Sequence, residues 1–433
     1  MFERSHHRAL TACVIALLGV AATAAACSPK GDGGFESDDD GEDDGSGSGN
    51  GSGPGDDDDD GLNPTSSSSG VPADQCDATA DEDRDQDGIT KAQGDCNDCD
   101  ANVGPGSVEV IGGPGDPPVD EDCNNEVDEP PAACDTGLDV ADGDPRSAAR
   151  AIELCRDAAD GGWGVIEAAY VKANGTPYDG GAQRGIVGGF GPNVKVQNGS
   201  SMLVLSSGAG RLPGQPGACS HISCTSSGES QPPAGFPAEV PGCDGGTSVF
   251  DDIGLEVKVR APKNATGYAF NFKFYSFEFA EWVCTNFNDQ FIALVSPPPM
   301  GAQNGNIVFD KQNNPVSVNI AFFDVCDPVT NDDFAFECEG GCPNPPAMYC
   351  PAGPAELVST GFDNGFGSFE EDAGATVWLE TNAPVTGGEE VTIRFAIWDT
   401  GDNNLDSTVL VDSFRWTGTP GTEVGTTPVP DPK

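Results

Sequence analysis

Acidic side chains outnumber basic ones by 71 to 20, a formal charge of −51. A chain this negative becomes compact only where cations or hydrogen-bond donors offset its self-repulsion. The imbalance argues against nucleic acid as a partner, because phosphate binding needs clustered Lys and Arg. Sixteen cysteines accompany the charge, and in an exported chain they imply a disulfide framework whose connectivity the spacing leaves open. Of the three histidines, His6 and His7 lie near the start and leave His221 for any site further along. A histidine-rich zinc or copper site is thereby excluded. His221 sits among Gly, Pro and Ser beside Cys219 and Cys224, the setting of an exposed loop histidine.

The first 26 residues have the layout of a signal peptide: Arg4, His6, His7 and Arg8, an apolar run Ala9–Ala22, then Ala24-Ala25-Ala26. The run is short for a membrane span. Small residues followed by Cys27 resemble a bacterial lipobox, which implies lipidation of Cys27 and export to the cell envelope, with outer membrane or cell surface the expected destination. Residues 27–73 read as a disordered acidic Gly/Ser/Asp tether, with 13 acidic and no basic residues from Gly31 to Gly61.

Between residues 74 and 135 the acidic residues acquire a pattern. Asp83, Asp85 and Asp87 alternate and are followed by Gly88. Carboxylates at alternate positions of a tight loop converge on one point, and hard oxygen donors suit Ca²⁺. The twelfth position, where an EF-hand carries Glu, is Gly94, with Asp95 one place later. Gly94-Asp-Cys-Asn-Asp98 and Asp120-Glu-Asp-Cys-Asn-Asn-Glu-Val-Asp-Glu129 follow. This order resembles the MopE-like metal-binding repeat of myxobacterial-type surface proteins. The resemblance implies calcium ligation by Asp83, Asp85, Asp87, Asp95 and Asp98, and by Asp120, Asp122, Asn124 and Asp128. The copper binding of one branch does not carry over, since the segment has neither His nor Trp. By position within the repeat, Cys96 and Cys123 bridge the two acidic loops. Cys76, Cys99 and Cys134 are left for other bridges, with Cys155 a candidate partner for one.

Composition changes after Asp142. Pro145–Ala159 reads as a helix capped by Asp144. Beyond it the chain is β-rich, with runs at 165–171, 201–206, 253–260, 268–279, 291–295, 316–323, 376–380, 391–398 and 408–416. Many short strands between Gly/Pro/Asn-rich loops indicate a mainly β fold, a β-sandwich or jelly roll with long disulfide-stapled loops at 207–248 and 326–355. Phe270, Phe272 and Phe274 share one face, with Asn271 and Lys273 opposite; after Tyr275 the phase slips. Either a bulge lies there or Glu278 points inward, where a carboxylate needs a partner.

Phe274-Tyr-Ser-Phe-Glu-Phe-Ala-Glu-Trp-Val-Cys-Thr-Asn-Phe-Asn-Asp-Gln-Phe291 resembles the signature of the choice-of-anchor L domain. Phe250–Glu256, Ala261–Asn264, Met202–Gly208 and Trp398–Phe414 fit the same pattern. The resemblance covers most of 142–418 and implies a non-catalytic, secreted β-rich surface domain, with 419–433 a disordered tail. Asp399, Asp402 and Asp406 are further candidate calcium ligands on a strand-to-strand loop, with Asn404 a candidate to join them. Glu278, Asn288 and Asp289 are candidates for a structural or metal role, and Asp412 for a buried, paired carboxylate.

These readings converge on a calcium-binding, lipid-anchored surface protein of binding or adhesion type, with Ca²⁺ as cofactor and a glycan or protein as ligand. A carbohydrate-binding module is the alternative, with Trp163, Trp282 and Trp378 as candidate stacking surfaces. A glycan hydrolase using Glu278 and Glu281 is the third, although an offset of three sets them on opposite strand faces. Nucleophile–histidine, P-loop and dinucleotide motifs are missing from the sequence.

Overall fold

The computed structural model describes residues 72–110, 118–129, 131–158, 162–224, 227–243, 245–319, 322–326, 350–363, 373–418 and 420–429. The signal-peptide, lipidation and most of the tether readings fall outside them, as do Cys338 and Cys342. The single α-helix among the described residues, α1 (Pro145–Arg150), starts as expected: Pro145 occupies the first turn and Asp144 accepts the Arg146 N–H. It stops earlier than the sequence predicts. Glu153 turns to positive φ, and Cys155 is held by Cys134.

Fourteen strands follow among the described residues: β1 (Gly164–Val171), β2 (Arg184–Val187), β3 (Met202–Ser206), β4 (Glu229–Ser230), β5 (Val249–Arg260), β6 (Gly267–Ser276), β7 (Gln290–Ser296), β8 (Val316–Ser317), β9 (Phe323–Cys326), β10 (Gly374–Thr376), β11 (Leu379–Pro384), β12 (Glu390–Thr400), β13 (Ser407–Thr417) and β14 (Gly425–Pro428). One antiparallel sheet runs β1-β5-β12-β7-β8, with β4 on β5; the other runs β14-β11-β6-β13-β3-β2, with β10 joining β6 to β9. Leu255, Val257, Phe291, Ile393 and Phe395 of the first sheet pack against Leu203, Phe270, Phe272, Phe274, Val409 and Val411 of the second. This is the β-sandwich that the strand pattern predicted.

Three elements depart from expectation. The run 316–323 is split between β8 in one sheet and β9 in the other. Asn271 and Lys273 do not face water: a second apolar layer including Phe190, Val194, Met202, Trp378 and Leu410 covers that side of the sheet. Lys273, fully buried, is paired with Glu356. Both faces of β6 are therefore inside, and alternation loses its meaning there. The third departure is at the C-terminal end, where Gly425–Pro428 adds a strand to β11 instead of trailing as a tail.

The segment 76–134 is loop-rich and held by Cys76–Cys99 and Cys96–Cys123, while Cys134–Cys155 ties it to α1. It docks on the sandwich through the turn after β5. Asn264 exchanges two hydrogen bonds with the backbone of Val108 (3.0 and 2.8 Å), and Lys263 pairs with Asp87. Cys219–Cys224, Cys243–Cys284 and Cys326–Cys350 staple the long loops of the β domain.

Candidate metal centres

The end of β6, the start of β7, the end of β12 and the start of β13 lie together at one end of the sandwich. Each contributes a carboxylate. The β6 ladder ends at Ser276, and the following turn carries Glu278 inward, 1% exposed. The phase slip is thus a strand end with an inward glutamate. Asp289 precedes β7; its Oδ1 accepts the Thr400 N–H (2.9 Å) and its Oδ2 the Ser407 hydroxyl (2.6 Å). A register shift between Ile397 and Asp399 re-aims Asp399 into the interior, as bulges do. Asp406 reaches in from before β13 and accepts the Cys224 N–H at 3.1 Å. Gly208 makes this possible, because a Cβ there would collide with the Asp406 carboxylate.

The balance of donors in this cluster is poor. Asp289, Asp399 and Asp406 are 0%, 0% and 4% exposed. Ser207 and Asp289 influence the ionisation of Asp399, but no donor among the described residues completes a hydrogen bond of ordinary geometry to either Asp399 oxygen, or to Asp406 Oδ1. Burial, then neighbouring charge, pushes Glu278, Asp399 and Asp406 well above the carboxylate range. Burial raises Asp289 to about 7 against the hydrogen bonds from Ser407 and Thr400. Four neighbouring buried carboxylates, two of them with orphaned oxygens, are costly unless protonated or bound to a cation. All the donors are oxygen, which fits Ca²⁺ and not a soft metal.

Asp402 stands apart. It is half-buried, accepts the Asn404 N–H in its own turn, and lines an open pocket with Glu278, Trp282, Phe287, Asn404 and His221. His221 is exposed. Asn288 accepts the Asn319 N–H and so braces the loop. Of the proposed stacking tryptophans, Trp378 is 1% exposed and part of the core, and Trp163 lies beneath the Arg156 guanidinium. Trp282 borders the pocket.

In the acidic segment, ligand-capable oxygens of Asp83, Asp85 and Asp87 come within 4.8 Å of one another. Asp95 and Asp98 close around them, 2% and 0% exposed. Asp83 Oδ1, Asp85 Oδ2, Asp95 Oδ2 and Asp98 Oδ1 are buried with no hydrogen-bond partner. Burial, then neighbouring aspartates against backbone hydrogen bonds, raises Asp85 and Asp95. All five aspartates of the first predicted set thus come together.

The second predicted set is rearranged. Asp122 converges with Glu109 and Glu129, neither of which the motif singled out. Asp120 accepts the N–H groups of Asn124 and Asn125 (3.0 and 2.9 Å), and Asn124 accepts that of Glu126 and donates to Glu129. Asp128 Oδ1 is buried and without a hydrogen-bond partner. Glu109 lies between the acidic runs of the repeat, and its only sequence signal was an acid between Gly-rich turns.

A two-sheet antiparallel sandwich with carboxylates gathered at one end, preceded by a disulfide-held acidic segment, is the class of molecule this chain represents. Residues 245–415 match the family model described as the choice-of-anchor L domain. That span covers β5 to most of β13 and all four interior carboxylates. Neither a curated protein nor a solved structure matches the chain.

Proposed function

We propose that this chain is an exported, cell-surface binding or adhesion protein whose sandwich and acidic segment are both held by Ca²⁺. The observation that carries the reading is Asp399: fully buried, among three other carboxylates, with neither oxygen in a hydrogen bond of ordinary geometry. Asp289, Asp399, Asp406 and Glu278 would hold one ion. Asp83, Asp85, Asp87, Asp95 and Asp98 would hold another, and Glu109, Asp122 and Glu129 a third. The ion supplies positive charge where no donor reaches. Six disulfides among the described residues suit an oxidising exterior, and the choice-of-anchor match suits a surface location. The signal-peptide and lipobox readings make Cys27 the attachment to the envelope, probed by metabolic labelling with a fatty acid in wild type and in Cys27→Ser.

Calorimetry on chelator-treated protein tests the metal reading. Saturable Ca²⁺ binding with a rise in melting temperature is the expected result, and an absence of both heat and shift would remove the proposal. A carbohydrate ligand is the second reading, favoured by the pocket that sets Trp282 and Phe287 beside Glu278, Asp402 and Asn404. Aromatic faces with polar hydrogen-bonding groups suit a polyol. Calcium-dependent retention of one sugar class on a glycan array, lost in Trp282→Ala, would support it.

A further inference from the structure

A second gathering of buried carboxylates lies away from the centre just described, where the acidic segment joins the sandwich. Asp135 follows Cys134, and Glu153 stands two residues before Cys155, so the Cys134–Cys155 disulfide pins both. Asp412 comes from β13, where the ladder with β6 shifts register between Asp412 and Arg415. Asn271 lies directly across that ladder from Asp412.

Three of the four groups have an oxygen to spare. Asp135 is 2% exposed; its Oδ2 accepts the N–H groups of Ser200 and Ser201 (both 2.6 Å), while Oδ1 has no hydrogen-bond partner. Glu153 Oε1 and Oε2 are both buried; the Ser413 N–H and the Asp412 carboxyl lie near, but neither completes a hydrogen bond of ordinary geometry. Asn271 is 6% exposed, and its Oδ1 is likewise without a partner. Asp412 is fully buried and accepts the N–H groups of Gln197 (2.5 Å) and Ser413 (2.7 Å).

The side chains converge. A Cβ placed on Gly199 would stand 2.7 Å from both Asp135 Oδ2 and Glu153 Oε1, and Glu153 and Asp412 lie within side-chain reach of each other. Burial pushes Glu153 up to about 9 and Asp412 to about 7. Burial also presses Asp135 upward, but the hydrogen bonds from Ser200 and Ser201 hold it below its ordinary value.

We propose that Asp135, Glu153, Asp412 and Asn271 form a further divalent-cation site of calcium type that clamps the acidic segment to the sandwich. All its ligands are oxygen, two of them carboxylates with orphaned atoms, which selects a hard ion. The ligands come from the segment's last residue, the turn after α1 and two strands of one sheet. The ion would join elements that the Cys134–Cys155 disulfide already cross-links.

The test is the number of Ca²⁺ ions bound per full-length chain, measured by equilibrium dialysis at pH 7.5, in wild type, Glu153→Gln and Asp289→Asn. Glu153→Gln is expected to lose one equivalent, or to bind it at least tenfold more weakly. Cleavage of the 76–134 segment by protease in calcium should speed up in the same variant. Asp289→Asn, which alters the sandwich centre, is expected to leave the junction ion and the cleavage rate as in wild type. Unchanged stoichiometry and unchanged cleavage in Glu153→Gln would overturn the proposal and mark the site as a shared-proton pair, whatever Asp289→Asn does. If Glu153→Gln does not fold, Asp135→Asn serves in its place. It keeps an oxygen for the Ser200 and Ser201 N–H groups and removes the charge, and the same two outcomes apply.

Discussion

The acidic loops around Asp83 and the carboxylate cluster around Asp399 present similar chemistry in opposite settings. The first set lies within sixteen residues of sequence, on turns whose own backbone N–H groups satisfy part of each carboxylate: Asp87 N–H to Asp85, Asn97 N–H to Asp95, Lys91 N–H to Asp98. It is supported by two disulfides and has almost no apolar core. The second set is drawn from four strand ends and sits inside a packed sandwich, where the Thr400 N–H that reaches Asp289 is 111 residues away. Losing its ion should loosen the loops locally, as expected of a small unit stapled by disulfides and metal. The interior cluster is bound into a cooperative core, so losing its ion should lower the stability of the whole domain.

Chelation offers the largest test of this contrast. At pH 8, EDTA should lower the sandwich melting temperature by about 10 °C, the order expected when a ligand present at ~1,000 times its Kd is withdrawn. The 76–134 segment should become protease-sensitive at temperatures where the sandwich is still folded. Simultaneous loss of both regions would break the comparison.

The next largest effect is the dependence of the metal-free chain on pH. The folded Asp289 carboxyl is raised to about 7 from an ordinary 3.8, and Glu278, Asp399 and Asp406 move the same way. A raised carboxyl contributes stability that is complete below the unfolded value and is lost as pH rises through the folded one. Without calcium, denaturant titrations should therefore show this contribution complete below about pH 4 and weakening by a few kcal/mol as pH rises through 7 toward 8, since a tenfold change in proton affinity is worth ~1.4 kcal/mol. Calcium should restore most at the alkaline end. A flat profile would indicate that the carboxylates are satisfied in some other way.

Asp399→Asn sharpens the contrast. It removes a buried charge while keeping shape, so the metal-free chain at pH 8 should gain roughly 1–2 kcal/mol, and the calcium-induced rise should shrink. Asp85→Asn in the loops should do the reverse in kind: one ion fewer by dialysis, with the sandwich melting temperature moved by less than about 1 kcal/mol equivalent. Smallest is Lys263→Met. Lys263 pairs with Asp87 and reaches the Val103 carbonyl, occupying the space beside Asp95 that Gly104 leaves open. Removing this competing cation, whose Asp87 partner is almost fully buried, should tighten calcium in the loops by a few-fold, read by calorimetry.

The sequence by itself determined what lies close along the chain. The spacing of Asp83, Asp85, Asp87, Asp95 and Asp98 places them around one turn system, because alternate residues of a tight loop point to a common centre whatever the rest of the fold does. Strand positions, the Asp144 cap and the need for disulfides were legible for the same local reason. What only the tertiary structure decided was partnership across distance: Glu109 and Glu129 beside Asp122 in place of Asp120, Asn271 and Lys273 under a second apolar layer, and Glu278, Asp289, Asp399 and Asp406 at one end of the sandwich. Sheet register and the bulge at Asp399 make those meetings, and register depends on the packing of all the strands at once. A pattern of alternating residues says which face a side chain takes, but not what will cover that face or which loop will arrive beside it.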